Sequence, residues 1–226
     1  MNMRTVLAGV TAALFLAPVA ANAGVVYENA ANPIGGDCSF STTCAASAGR
    51  GDDYAAQRFV LGAGATVESA SFSIFHPGTI GTSANWKFYL DDGAGGLPGT
   101  LVAQGSSTIL GSQDIGANYG FTLSKTFFNL PTVNLAAGSY YFAIQSVSPI
   151  FDNYLSQGVA LSGAAETFNG GANWQAGYQS LSSVAVGLYD TEFGAGGVPE
   201  PATWAFMVMG FGGAGAVLRR RKVALA

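Results

Sequence analysis

The side chains with distinctive chemistry are few: two cysteines, one histidine and two pairs of adjacent aspartates. Five residues separate Cys38 from Cys44, and two cysteines favour a disulfide in a chain that reaches an oxidising compartment. A metal site is the alternative, but two thiols lack the other ligands that zinc needs. The sequence therefore predicts a Cys38–Cys44 disulfide, which would stabilise the fold by about 2 kcal/mol.

The single histidine, His76, stands before a Pro-Gly turn in the stretch FHPGT. A Ser-His-Asp triad needs an activated serine, but no Gly-x-Ser-x-Gly turn is present to supply one. We therefore interpret His76 as a structural residue at the end of a strand.

The adjacent acids are Asp52-Asp53 and Asp91-Asp92, both in glycine-rich stretches. Neighbouring carboxylates suit calcium, which takes six to eight oxygen ligands, although the spaced acids of an EF-hand loop are missing. Paired carboxylates also hydrolyse glycosides when their separation is right. The interpretation that we favour is solvated aspartates in turns, with calcium binding and hydrolysis as the alternatives.

Five aromatic residues fall on alternate strand faces or in loops, where their rings either stack on sugars or fill a second apolar cluster. We favour the second interpretation. They are Tyr89, Tyr119, Tyr141, Trp174 and Tyr178.

Alternation of apolar and polar residues predicts the elements that position these side chains. In residues 68–75, Ala70, Phe72 and Ile74 share one face and three serines the other. The same period marks 85–91, 139–146 and 184–190, with shorter candidates at 24–28, 57–61, 100–104, 120–123 and 158–161. Glycine-rich turns separate these segments. The pattern predicts an all-β fold, a β-sandwich of jelly-roll type over residues 24–193.

The charge of the chain between its two ends argues against nucleic-acid binding. Residues 24–198 contain twelve acids and four bases, a net charge of −8 that would repel phosphate backbones. We expect no enzymatic activity and no cofactor.

The first 23 residues have the three parts of a secretory signal peptide. A positive start is followed by a twelve-residue apolar run and by the small residues Ala21 and Ala23. Twelve residues of helix rise only about 18 Å, too little to cross a bilayer. We predict cleavage after Ala23, which leaves Gly24 as the new N-terminus.

The other end of the chain reads VPEPATWAFMVMGFGGAGAVLRRRK. A flexible linker, 194–198, precedes the motif Pro199, Glu200 and Pro201. Residues 202–218 are uncharged and long enough, at about 25 Å, for a short transmembrane helix. Cytoplasmic stop-transfer residues then follow, ahead of a short tail at 223–226: Arg219, Arg220, Arg221 and Lys222.

These tail residues resemble the PEP-CTERM sorting signal of Gram-negative bacteria, over 199–222 and in the family's order of motif, apolar run and basic cluster. The stretches FYLDDGAGGLPGTLVA, VNLAAGSYYFAI and VAVGLYD also resemble the β-rich ectodomain often found ahead of such tails. The resemblance implies an exosortase-type membrane protease as partner, transient anchoring with a cytoplasmic C-terminus, and a final location at the cell surface or outside the cell. It also implies an association with exopolysaccharide or biofilm, with a polysaccharide hydrolase or an adhesin as the alternative.

Overall fold

Antiparallel β-strands form the regular structure of the residues that the computed structural model describes, which are 24–37, 53–118, 120–148, 153–160, 162–177 and 182–194. No helix occurs within these ranges. The strands are β1 (Val25–Asn29), β2 (Ala31–Asp37), β3 (Tyr54–Leu61), β4 (Ala65–His76), β5 (Ser83–Leu90), β6 (Leu101–Asn118), β7 (Phe121–Leu135), β8 (Gly138–Val147), β9 (Tyr154–Gly158), β10 (Ala164–Thr167), β11 (Gln175–Ala176) and β12 (Val186–Tyr189). The all-β prediction is confirmed for this part of the chain.

One long strand, β6, joins the two halves of a single curled sheet. The strand order is β1-β12-β4-β7-β6-β5-β8-β3-β10-β11, and β9 pairs with both β2 and β4. Up to Thr108, β6 pairs with β5; from Ile109 it pairs with β7 instead. The sheet therefore turns at the middle of β6, and the two halves come to share a core.

The core consists of the apolar face that the period-two pattern predicts. Phe72 and Ile74 of β4 lie in the same buried cluster as Phe88 of β5, Phe142 of β8 and Leu188 of β12. Because alternate side chains of a strand point to opposite faces, this pattern is visible in the sequence strand by strand. The predicted inward residues of these four segments are confirmed.

Polar contacts also cross between the halves. Gln57 of β3 is buried, and its Oε1 accepts hydrogen bonds from the backbone N–H of Val184 (2.8 Å) and from Nδ2 of Asn29 (3.3 Å). Its Nε2 donates to the carbonyls of Arg58 (3.0 Å) and Ser162 (3.3 Å). One amide thus satisfies backbone groups on several separate segments, as buried polar groups require.

The second face of β4 is buried as well, contrary to the half-buried strand that the alternation predicts. Ser69 donates to the carbonyl of Thr191 (2.6 Å), and Ser71 shares a hydrogen bond with the hydroxyl of Tyr189 (3.1 Å). The segment after β12 lies across this face, where the ring of Phe193 packs against Phe127 and Tyr189. A polar strand face does not reveal that a distant segment covers it.

Strand bounds differ from the prediction where polar residues and glycine interrupt the apolar pattern. The segments predicted at 100–104 and 120–123 are the starts of the long strands β6 and β7. The strand predicted at 158–161 is wrong for 159 and 160, because β9 covers Tyr154–Gly158 and ends there. The prediction also lacks β2, β10 and β11. Among the described residues, no helix is long and apolar enough to cross a membrane. The predicted signal peptide, 1–23, and the predicted span, 202–218, lie outside the described ranges.

Candidate functional site

Many of the predicted site residues lie outside the described ranges. They are Ala21 and Ala23 of the cleavage site, Cys38 and Cys44, Asp52, Tyr119 and Tyr178, the motif Pro199, Glu200 and Pro201, and the basic residues Arg219, Arg220, Arg221 and Lys222. The Cys38–Cys44 disulfide and the membrane topology stay predictions. Gly24 is the first described residue and is hydrogen-bonded to Asp190, the residue after β12.

Asp91 and Asp92 serve the structure of the loop between β5 and β6. Asp91 pairs with Arg58, at 2.6 Å between carboxylate and guanidinium. Asp92 accepts hydrogen bonds from the backbone N–H (2.6 Å) and the hydroxyl (2.7 Å) of Thr100, and these bonds, the hydroxyl's foremost, lower the pKa of Asp92. The two adjacent carboxylates thus face different partners, which does not favour a shared cation or a pair of catalytic acids.

Asp53 is fully buried at the start of β3, so the prediction of a solvated turn aspartate is wrong for this residue. Among the described residues, no group of three or more histidine, cysteine or acidic side chains is close enough to hold a metal ion.

His76 lies in a hydrogen-bonded chain with a serine and an aspartate. The backbone N–H of Gly78 donates to Nδ1 (3.2 Å), so in neutral His76 the ring proton sits on Nε2, which contacts Oγ of Ser124 at 2.8 Å. Ser124 in turn donates to Oδ1 of Asp114 (2.6 Å). In this arrangement the imidazole donates to the serine, whereas a catalytic base would accept from it.

The surroundings of His76 fit a structural role too. His76 and Ser124 are buried, so Ser124 is not open to a substrate. Burial lowers the pKa of His76, and the nearby charge of Asp114 opposes this effect without reversing it. The hydrogen bonds from His76 through Ser124 to Asp114 join β4, β7 and β6 at one end of the sheet, which favours the predicted structural role.

The aromatic residues within the described ranges fill a second apolar cluster. Tyr89 and Tyr141 are buried on the side of the sheet away from the main core, together with Tyr54 of β3. The ring of Trp174, half-buried, packs edge-on against Tyr89 at 5.3 Å between centroids, and Tyr141 donates to the carbonyl of Gly96 (2.6 Å). These rings are therefore not available as a platform for sugars.

Within the described residues, one candidate binding site is a groove of about 400 Å³ beside β1, β4, β6 and β7. Polar side chains from four strands point to it, among them Glu28, Ser73, Gln113 and Lys125. Ile115 adds an exposed apolar side chain on β6. A mixed polar lining of this kind offers hydrogen-bond donors and acceptors to a neutral, hydroxyl-rich ligand.

An ion pair fixes one side of this groove. Nζ of Lys125 lies 2.5 Å from Oε1 of Glu28 and stands over the rings of Tyr189 (5.5 Å) and Phe127 (5.8 Å). Burial by itself would lower the pKa of Lys125, but the contacts with Glu28 and Tyr189 outweigh it and raise the pKa. Lys125 therefore stays charged and links β7 to β1 across β12 and β4, the two strands that lie between them in the sheet.

Sequence reasoning did not find this pair. Lys125 is one of only four basic residues against twelve acidic residues in 24–198, and this excess of acids indicates that one of them lies near Lys125. The partner is 97 residues away, however, and the two side chains meet only in the folded sheet, across β12 and β4.

Comparison with known proteins identifies the sorting motif in the tail. The family model of the PEP-CTERM protein-sorting motif matches residues 197–222, which confirms the resemblance seen in the tail. No curated protein matches the chain. The motif implies an exported protein that passes through the membrane and meets a membrane exosortase.

Proposed function

We propose that this chain is a non-enzymatic surface or matrix protein that is anchored by its tail for a time and released by an exosortase-type protease. The observation that carries this proposal is the PEP-CTERM motif at 197–222. The final location is the cell surface or the medium, where the β-domain associates with exopolysaccharide made by the same cell.

The charge pattern of the termini supports a temporary anchor. A signal peptide directs the body outward, and the basic residues at 219–222 keep the end of the chain in the cytoplasm. The seventeen uncharged residues at 202–218 rise about 25 Å as a helix, less than a hydrocarbon core of about 30 Å. Four glycines among them weaken insertion further. A marginal span of this kind suits an anchor that a protease removes.

Glu200 is the residue that we expect the protease to read. Pro199 and Pro201 fix their own backbone φ angles and disfavour helix around Glu200, so the motif favours an extended conformation. An extended segment with one central charge suits an active-site groove.

Replacing Glu200 tests this role. A charge-assisted hydrogen bond contributes about 1.5–3 kcal/mol, so Glu200→Ala should slow tail removal in the host by about tenfold or more. Glu192→Ala removes an exposed carboxylate eight positions upstream and is the matched control. Pulse-chase labelling followed by gel mobility measures the rate. Processing of Glu200→Ala at the wild-type rate would contradict the role of Glu200.

The fold supports binding over catalysis. We interpret the curled sheet as a β-sandwich of jelly-roll type, a scaffold whose function depends on its surface residues. Asp91 and Asp92 already have structural partners, so they make a poor acid pair for hydrolysis. The groove at Gln113 offers instead a polar surface for neutral sugars.

Cell fractionation with and without the exosortase tests the proposed sorting. We expect the protein with its whole tail to stay in the membrane fraction when the protease is absent. When the protease is present, we expect a product truncated near the motif in the surface or medium fraction. C-terminal sequencing of each fraction identifies the cut. A whole tail in both strains would indicate a permanently anchored protein.

Co-sedimentation with exopolysaccharide from the host tests the proposed ligand. Gln113→Ala should weaken binding severalfold, because Gln113 is an exposed residue of the groove. Gln104→Ala, an exposed glutamine on the half of β6 that pairs with β5, should bind as the wild type does. Equal binding by the wild type, Gln113→Ala and Gln104→Ala would rule out the groove as the binding site. Release of sugar fragments would favour the alternative function, a polysaccharide hydrolase.

A further inference from the structure

The residue that follows the predicted signal-peptide cleavage site is held against the end of the last strand. The backbone N–H of Gly24 donates to Oδ1 of Asp190 at 2.7 Å, and the carbonyl of Gly24 accepts from the backbone N–H of Asp190 at 3.0 Å. Gly24 precedes β1 and Asp190 follows β12, the strand with which β1 pairs. The nitrogen that cleavage would turn into a terminal amine thus already touches a carboxylate.

The local geometry suits glycine at this position. A Cβ built on Gly24 would overlap both carboxylate oxygens of Asp190. The carboxylate is also oriented by the hydroxyl of Thr191, which donates to the same Oδ1 at 2.8 Å. Any side chain at residue 24 would push the carboxylate away from the backbone nitrogen.

We propose that Asp190 is the binding site for the α-ammonium group that signal-peptide cleavage creates at Gly24. Water adds across the Ala23–Gly24 peptide bond, which leaves a carboxylate on Ala23 and an amine on Gly24. The amine is protonated below its ordinary pKa of about 7.7–8.0. The hydrogen bond from a neutral amide to the carboxylate then becomes one between an ammonium group and a carboxylate, which adds the attraction of two opposite charges. The precursor lacks this ion pair, so cleavage itself strengthens the pairing of β1 with β12.

Reactivity of the terminal amine tests the proposal on the exported protein purified from its host. N-terminal sequencing first establishes the cut, and mass spectrometry then follows acylation of the α-amine between pH 6 and 10. Pairing holds the amine in its unreactive, protonated form. At pH 8 we therefore expect the wild type to react about two- to fivefold more slowly than Asp190→Asn, the range of an exposed ion pair.

Two further variants separate this role from a general effect on the fold. Glu192→Gln removes an exposed carboxylate two residues beyond Asp190 and should react as the wild type does. Gly24→Ala keeps the small residue that the cleavage site needs but displaces the carboxylate, so its reactivity should match that of Asp190→Asn.

The effect on stability has a defined sign. Pairing raises the pKa of the amine in the folded state, so the added stability is complete below the ordinary pKa. It is lost as pH rises through the raised pKa. Equal acylation profiles for the wild type and Asp190→Asn would overturn the proposal, as would an exported N-terminus other than Gly24. Neither result bears on sorting, which is read at the C-terminus.

Discussion

Asn129 should hold the segment at 190–194, the last part of the chain that the structure describes, against the sheet. Its Oδ1 accepts from the backbone N–H of Phe193 (2.8 Å), and its Nδ2 donates to the carbonyl of the same residue (3.1 Å). The ring of Phe193 is buried against Phe127 and Tyr189. One side chain thus satisfies both backbone groups of Phe193 as a neighbouring strand would.

The expected cost of Asn129→Ala follows from these two bonds. A neutral hydrogen bond contributes about 0.5–1.5 kcal/mol net, so the variant should lose about 1–3 kcal/mol in the free energy of unfolding. For a domain of this size, that corresponds to a fall in Tm of roughly 2–12 °C. The matched control is Asn134→Ala on the same strand. Its partner is Thr66 in an exposed pair, so its loss should be within about 0.5 kcal/mol.

Thermal unfolding and amide hydrogen exchange of the exported protein provide the assay. Global stability should fall in Asn129→Ala, and the amide of Phe193 should lose protection more than amides in the middle of β4. If Asn129→Ala matched Asn134→Ala in both measurements, the two hydrogen bonds would not hold the segment and the reasoning would be wrong. The position matters for sorting, because the six residue-to-residue steps from Phe193 to Pro199 span at most about 20 Å when fully extended.

Two other predictions concern buried polar groups. Gln57→Leu should cost about 1–3 kcal/mol in the free energy of unfolding, because it leaves the buried N–H of Val184 without its acceptor. Gln145→Leu should cost less, because it removes only the bond that Oε1 accepts from the half-buried Asn85 (2.8 Å), and Nε2 of Gln145 is unpaired among the described residues. Denaturant unfolding compares the two variants, and equal costs would contradict the bridging role of Gln57. Burial lowers the pKa of His76, so the contribution of the neutral imidazole to stability is complete above about pH 6.5 and is lost as pH falls through the lowered pKa. Tm should therefore fall in acid, and His76→Asn should make Tm depend less steeply on pH. An unchanged dependence of Tm on pH would contradict this assignment.

The parts of the fold that could be predicted depend on local pattern. Phe72, Phe88 and Phe142 each alternate with polar neighbours, and each lies in the shared core. The tail motif could be recognised for the same reason, since its residues are adjacent in sequence. The alternation of apolar residues and the tail motif can both be recognised without knowing which strands pair.

The parts that could not be predicted depend on pairings between distant segments. Ser71 was expected to face outward, but Tyr189 and the segment after it cover that face of β4. The pair of Lys125 with Glu28 and the clamp of Asn129 on Phe193 join residues 97 and 64 positions apart. Composition indicates that such partners exist, but only the strand order selects them.

The strand order also explains why a temporary anchor suits this domain. Val186 of β12 pairs with Phe72 of β4 and with Asn29 of β1, so the last strand lies between two strands from the first part of the chain. Those pairings cannot form until residue 189 has been exported, and loops of more than a hundred residues make them slow to form. On the proposed topology, the span at 202–218 keeps the chain at the membrane during that interval. The proposed removal of the tail would then release a domain whose first and last strands are already paired with their neighbours.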